Sequence, residues 1–272
     1  MTNSRVRFSS PVSNLALFGI LLLISGCGYA EYETRLGESK KYYAYLDRIE
    51  QSLAPKWSLT GNLMELRVPK QFTQIPPAPP VKTEDGKLEP AAIDPRQPDY
   101  MNLQFPGMFG AWESPLQIAK GGGTTETRKG YIYALSNYWE FAGENATDAP
   151  AFVETLKAQL GDNLKIVPVD EQPQTHPKVM PAYQPQLTYN VCSFKGKNIN
   201  GTNYTFEVYS RNQGSIIGVL VVALPEGIDM QQKVNERIPM MLESFNFTSA
   251  PPKPGAGTTP AGGNPAATNA KF

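Results

Sequence analysis

Residues 215–224 (SIIGVLVVAL) carry almost no polar side chain, which constrains the fold more than any other stretch. A strand with one wet face alternates apolar and polar side chains; a run apolar throughout needs cover on both faces. The segments before it supply neighbours. Residues 189–194 read as a strand, and Asn200-Gly201 is a strong hairpin dipeptide. Tyr204, Phe206, Val208 and Ser210 then alternate with Thr205, Glu207 and Tyr209, and residues 211–214 (RNQG) turn the chain again. The expectation is an antiparallel meander whose last strand lies centrally in an α+β domain, with helices flanking the sheet.

The remaining elements follow from periodicity and punctuation. Tyr32, Leu36, Tyr43, Leu46, Ile49 and Leu53 recur at helical spacing over 31–53, and Pro55 ends the run. Met64, Leu66 and Val68 alternate with Glu65 and Arg67 as a half-buried strand. Residues 76–99 hold Pro76, Pro77, Pro79, Pro80, Pro90, Pro95 and Pro98 with few large apolar residues, which suits an extended, solvated insert. Strands are expected at 116–119, 129–141 and 164–167. Asp148 as a cap, Pro150 in the first turn and the stripe Phe152, Val153, Leu156, Leu160 set a helix, with Gly161 as its stop. A last helix is expected from Asp229, with Gln232 in a capping box, Met230, Val234, Ile238, Met241, Leu242 and Phe245 inward, and a kink at Pro239.

The two ends differ from this body. Arg5 and Arg7 precede the apolar stretch 15–24 (LALFGILLLI), which is about half the ~20 residues needed to span a bilayer. It runs directly into Ser25-Gly26-Cys27, the layout of a secretory signal with small residues at the cleavage point. The run Ile24-Ser25-Gly26-Cys27 resembles the bacterial lipobox, in which the cysteine is acylated and becomes the new N-terminus. That resemblance implies anchoring by two or three fatty chains, where one alone holds only marginally. Gly28, not Asp, follows the cysteine, and by the sorting pattern of the lipoproteins it resembles this implies the outer membrane, facing the periplasm. Residues 249–272 are low-complexity, rich in Pro, Gly, Ala and Thr, and cannot bury enough surface to order themselves. The expected layout is a signal at 1–26, a tether and amphipathic helix at 27–55, one domain at 56–248 with its insert at 76–99, and a disordered tail.

The order of strand, insert, strands, helix, strand, meander and a helix ending in Ser244-Phe245-Asn246-Phe247 resembles the PsbP-like fold, an α/β/α sandwich. That similarity spans Trp57 to Phe247. Cys27-Gly28-Tyr29-Ala30 leading to Leu53-Ala54-Pro55-Lys56-Trp57 is similar to planctomycete lipoproteins. Both resemblances imply an accessory module that binds protein partners, without an active site.

Composition narrows the chemistry. Lys and Arg number 25, as do Asp and Glu, so the chain shows no electrostatic footprint for nucleic acid. Gly121-Gly122-Gly123 lacks the Lys-Ser/Thr of a phosphate loop. The chain has one histidine, His176, expected to be solvated in a proline loop, and no metal or cofactor is expected. Of two cysteines, Cys27 is assigned to lipid, leaving Cys192 mid-strand as a core residue or, in an alternative reading, the nucleophile of a thiol enzyme paired with His176. Phe105, Met108, Phe109, Trp112 and Trp139 form the candidate ligand or partner surface; the alternative built on them is a carrier of a small molecule or lipid with an aromatic-lined cavity. The leading expectation is a non-enzymatic envelope lipoprotein, held to a membrane through Cys27 and binding an envelope protein.

Overall fold

The computed structural model describes residues 29–59, 63–82, 85–89, 91, 93–120, 123–139, 148–178 and 184–249. Cys27, the signal segment and the tail from 250 lie outside them. The chain divides into two compact units, Met1–Gln51 and Ser52–Phe272. The first contributes helix α1 (Tyr29–Ser52), close to the expected bounds. Tyr29, Tyr32, Leu36 and Tyr43 on it are exposed, and Ile49 is its one buried residue. No helix among the described residues is long and apolar enough to cross a membrane.

The second unit is an α+β body. Strands β1 (Trp57–Ser58) and β2 (Met64–Leu66) pair antiparallel. The main sheet starts with β3 (Thr73–Gln74); β4 (Val81–Lys82) and β5 (Leu88–Glu89) form a separate small hairpin within the insert. Two long strands follow, β6 (Met108–Lys120) and β7 (Thr124–Ser136), then helix α2 (Ala149–Leu164). Short β8 (Val169–Asp170) and β9 (Gln174–His176) precede the meander of β10 (Leu187–Ile199), β11 (Thr202–Gln213) and β12 (Ile216–Pro225). A 3-10 turn (Met230–Gln232), helix α3 (Val234–Ser244) and β13 (Asn246–Phe247) close the fold. The eight-stranded sheet runs β3-β6-β7-β12-β11-β10-β8 with β9 also on β10, and every pairing is antiparallel.

β12 lies between β7 and β11, the central position expected of its sequence. Its side chains feed two cores in turn. Ile216, Leu220 and Val222 join one with α3, β2 and β13; Ile217, Val219, Val221 and Ala223 join the other with α2. The body is therefore three-layered, with α2 on one face of the sheet and α3 and the small sheet on the other. Asn200 and Gly201 both adopt positive φ between the paired residues Ile199 and Thr202, which is the two-residue turn their identities favour.

Several expectations need correction. Residues 116–119 are not a separate strand but part of thirteen-residue β6, which runs through Pro115. Pro115 is tolerated because β3 covers β6 only at Trp112 and Glu113; odd-numbered residues beyond that point turn their backbone to the sheet edge, where no ladder N–H is required. Gly161 does not stop α2. The helix reaches Leu164, and Lys165 takes the left-handed cap position with φ 56°. Residues 166–168 are consequently not a strand. The turn after β11 is Gly214-Ser215, since Gln213 still pairs with Ile216. Pro239 lies inside unbroken α3; the break falls at Lys233 (φ 53°), separating α3 from the 3-10 turn that Asp229 caps. Met230 is 90% exposed rather than buried.

Candidate functional site

A concavity opens where the 93–105 segment crosses the sheet beside β3, β6 and β7. The first residues of that segment, 93–99, belong to the proline-rich insert expected to be solvated, but they are folded onto the body. Asp94 accepts hydrogen bonds from Arg96 Nε (3.0 Å to each carboxylate oxygen) and Nη2 (2.7 Å), and Arg96 Nη1 reaches the Phe109 carbonyl at 3.3 Å. Burial alone would raise the Asp94 carboxyl; the hydrogen bonds and charge of Arg96 hold it below its ordinary value. Gln97 Nε2 donates to the Phe105 carbonyl (3.1 Å) while Phe105 N–H donates to Gln97 Oε1 (2.6 Å). Leu103 and Phe105 are buried in the α2-side core. Two fixed side chains and two apolar anchors thus convert a proline-rich stretch into a wall.

Tyrosines form the floor. Tyr131 stacks near-parallel with Tyr133 (13° between planes, 6.1 Å between centroids) and lies 4.7 Å from Tyr100. The Tyr100 and Tyr133 hydroxyls share a hydrogen bond of 3.0 Å. Burial pushes the Tyr131 phenol above its ordinary value, and the carboxylates of Asp99 and Glu113 push it in the same direction. Burial likewise raises Tyr100 and Tyr133, so these phenols stay neutral at physiological pH. The cleft has a volume of about 710 Å³, and Ile75, Met101 and Leu103 supply apolar surface within it. Its lining includes the carboxylates of Asp94, Asp99 and Glu113 and, among the described residues, no lysine or arginine. A smaller hollow of about 220 Å³ lies on the other side of Tyr131, lined in part by Arg128 and Lys129.

The five residues singled out from the sequence do not line this cleft. Phe109, Trp112 and Trp139 pack with the α3-side core; Phe105 and Met108 pack with the α2-side core. Phe105, Phe109 and Trp112 are buried, with Trp112 edge-on to Trp57 at 5.1 Å. The set is split across the sheet because β6 alternates sides and slips register between Met108 and Gly110. The sequence signal for the actual floor was the Tyr131-Ile132-Tyr133 alternation, which places both tyrosines on one face.

Cys192 is buried in the α2-side core, and burial pushes its thiol up to about 11. It is a thiol, not a thiolate, at neutral pH. His176 is a correction: it is 2% exposed, not solvated, and lies on β9 opposite Leu187, 6.3 Å from the Tyr189 ring. Tyr189 belongs to the α3-side core, so His176 and Cys192 occupy opposite faces and form no pair. Among the described residues no group of three or more His, Cys, Asp or Glu side chains is placed to hold a metal ion.

No family model matches the chain, and no curated protein does. Among solved structures it is similar to a crystal structure from Bacteroides thetaiotaomicron, at 12% identity, covering 71% of this chain and 48% of that one, with a TM-score of 0.30. The chain thus spans about half the length of the solved protein it matches. At that TM-score the two share too little to transfer a fold family or a function.

Proposed function

We propose that this chain is a membrane-anchored lipoprotein of the bacterial cell envelope, acting without catalysis as a protein-binding accessory module. The observation that carries the proposal is the run Ile24-Ser25-Gly26-Cys27 placed directly after a charged start and a short apolar stretch. Acylated Cys27 holds the protein at the outer membrane, facing the periplasm. Each buried methylene adds about 0.8 kcal/mol, so two or three chains fix the protein firmly where one would exchange. The body is a PsbP-like sandwich; the helices on both faces of an antiparallel sheet, and α3 running into Phe245 and Phe247, support that reading. The burial of Cys192 and its separation from His176 remove support from the thiol-enzyme alternative, and the split of the aromatic set does the same for the carrier.

Mass spectrometry of the mature N-terminus from a bacterial host tests processing and acylation together. The expected product begins at Cys27 with diacylglycerol attached and partitions into detergent. A Cys27→Ser chain should be unprocessed or released from membranes. Normal maturation of that variant, with membranes still retaining it, would sink the anchor.

A further inference from the structure

Resting on the protein-binding reading, we propose that the cleft beside β3 is a docking groove for an extended segment of a partner protein bearing lysine or arginine. The first observation is an open sheet edge. β3 is the terminal strand of the eight-stranded order, and both Thr73 and Gln74 are exposed and line the cleft. Ile75 N–H donates to the Ala111 carbonyl at 2.8 Å, so Ile75 turns its peptide toward β6. Alternation along the strand then turns the N–H and C=O of Gln74 away from β6, to the open edge of the sheet that borders the groove. An extended polypeptide laid there takes main-chain hydrogen bonds from the edge and presents every second side chain to Ile75, Met101 and Leu103.

The second observation is charge, which selects the occupant. Arg96 occupies Asp94, whereas Asp99 has no ion pair among the described residues. Glu113 pairs only with exposed Lys129, which is not part of the lining. Unpaired Asp99 and the Lys129-paired Glu113 both lie close enough to Tyr131 to raise its phenol. Among the described residues no lysine or arginine lines the groove to hold an anion, so acidic segments are repelled and basic ones favoured. The volume of about 710 Å³ suits several side chains of a peptide and exceeds the needs of a single ion.

The test is calorimetric titration of the full chain with an end-blocked octapeptide alternating lysine with threonine. Counterparts carrying glutamine or glutamate in place of lysine run alongside, with cellohexaose as a neutral sugar. Expected are binding of the lysine peptide that weakens with added salt, much weaker binding of the glutamine peptide, and none of the glutamate peptide. Asp99→Asn and Glu113→Gln should each lower affinity roughly threefold, and about tenfold together. Unchanged thermal midpoints in these variants would show that the fold is intact. No binding of the lysine peptide, equal binding of the glutamine peptide, indifference to both substitutions, or binding of cellohexaose instead would each overturn the groove. An acylated chain that fails this titration sinks the groove alone; an unacylated chain that passes it sinks the anchor alone.

Discussion

His176 is buried with neither ring nitrogen hydrogen-bonded among the described residues, next to Tyr189 and two residues from Lys178. Burial disfavours its charged form and the Lys178 charge adds to this, so the imidazole titrates below its ordinary value. The unfolded chain therefore binds a proton more readily than the folded one just below the unfolded-state pKa of about 6.5. Stability is full above that pH and falls as the pH drops toward the folded-state value, by at most about 1.4 kcal/mol per pH unit. Urea unfolding at pH 7.5, 6.5 and 5.5 should show this loss, and His176→Phe should flatten it. An identical pH slope in the variant would exclude His176 as the cause. Gly218 acts by absence instead. A Cβ there would lie 2.5 Å from Phe247 and 2.8 Å from Phe245, so this glycine lets β13 and the end of α3 sit down on the sheet. Gly218→Ala should cost about 1–3 kcal/mol by overpacking, and a thermal midpoint within a degree of the parent would contradict that.

Among the elements, the 3-10 turn does the least expected work. Gln232 was assigned to a capping box, yet its side chain clamps the backbone of β6. Gln117 N–H donates to Gln232 Oε1 at 3.0 Å, and Gln232 Nε2 donates to the Gln117 carbonyl at 2.7 Å. Ala119 N–H to the Gly227 carbonyl and Asp229 N–H to the Gln117 carbonyl extend the cover. This end of β6 is thus closed by a side-chain amide and a loop, where another strand could otherwise add. Gln232→Ala should cost about 0.5–1.5 kcal/mol and speed amide exchange at Gln117 and Ala119 above that of β12. At the other helix, Asp148 accepts from Ala151 N–H at 2.8 Å, so Asp148→Ala should lower stability by about 1 kcal/mol while Asp148→Asn largely preserves it; the thermal midpoints of the pair check this. These cases mark what could be read from sequence. Asp148, Pro150 and the Phe152–Leu156–Leu160 stripe act locally, within a turn or two, so they were legible. Lys165 rather than Gly161 ends α2, and Lys233 rather than Pro239 marks the break in the last helical stretch, because packing against the sheet outweighs the strain of a left-handed lysine. His176 and the cleft were not legible because their character depends on β9 folding over β10 and on residues 93–105 folding over β6 and β7, contacts that no local pattern encodes.

At the scale of the molecule, one strand joins two cores. Val222 faces the α3 side and Val221 the α2 side, one residue apart on β12. Each is buried, and each lies on a strand hydrogen-bonded on both edges, so neither layer can detach without exposing buried side chains of β12. All three tryptophans of the chain, Trp57, Trp112 and Trp139, belong to the α3 side. Tryptophan fluorescence therefore reports directly on one layer, and far-ultraviolet circular dichroism on both. If the sheet couples the layers into one cooperative unit, Val221→Ala and Val222→Ala should each destabilise by about 2 kcal/mol, and both probes should follow a single transition in each variant. The informative variant is Val221→Ala, whose deleted methyl groups lie across the sheet from every tryptophan. It should move the tryptophan-monitored midpoint as far as the dichroism midpoint. A fluorescence transition left in place while the dichroism divides into two steps would mean that α2 melts from the sheet alone. The body would then be two weakly coupled layers, and the groove over Tyr131 and Tyr133, built on the α2-side face, would open and close with the less stable one.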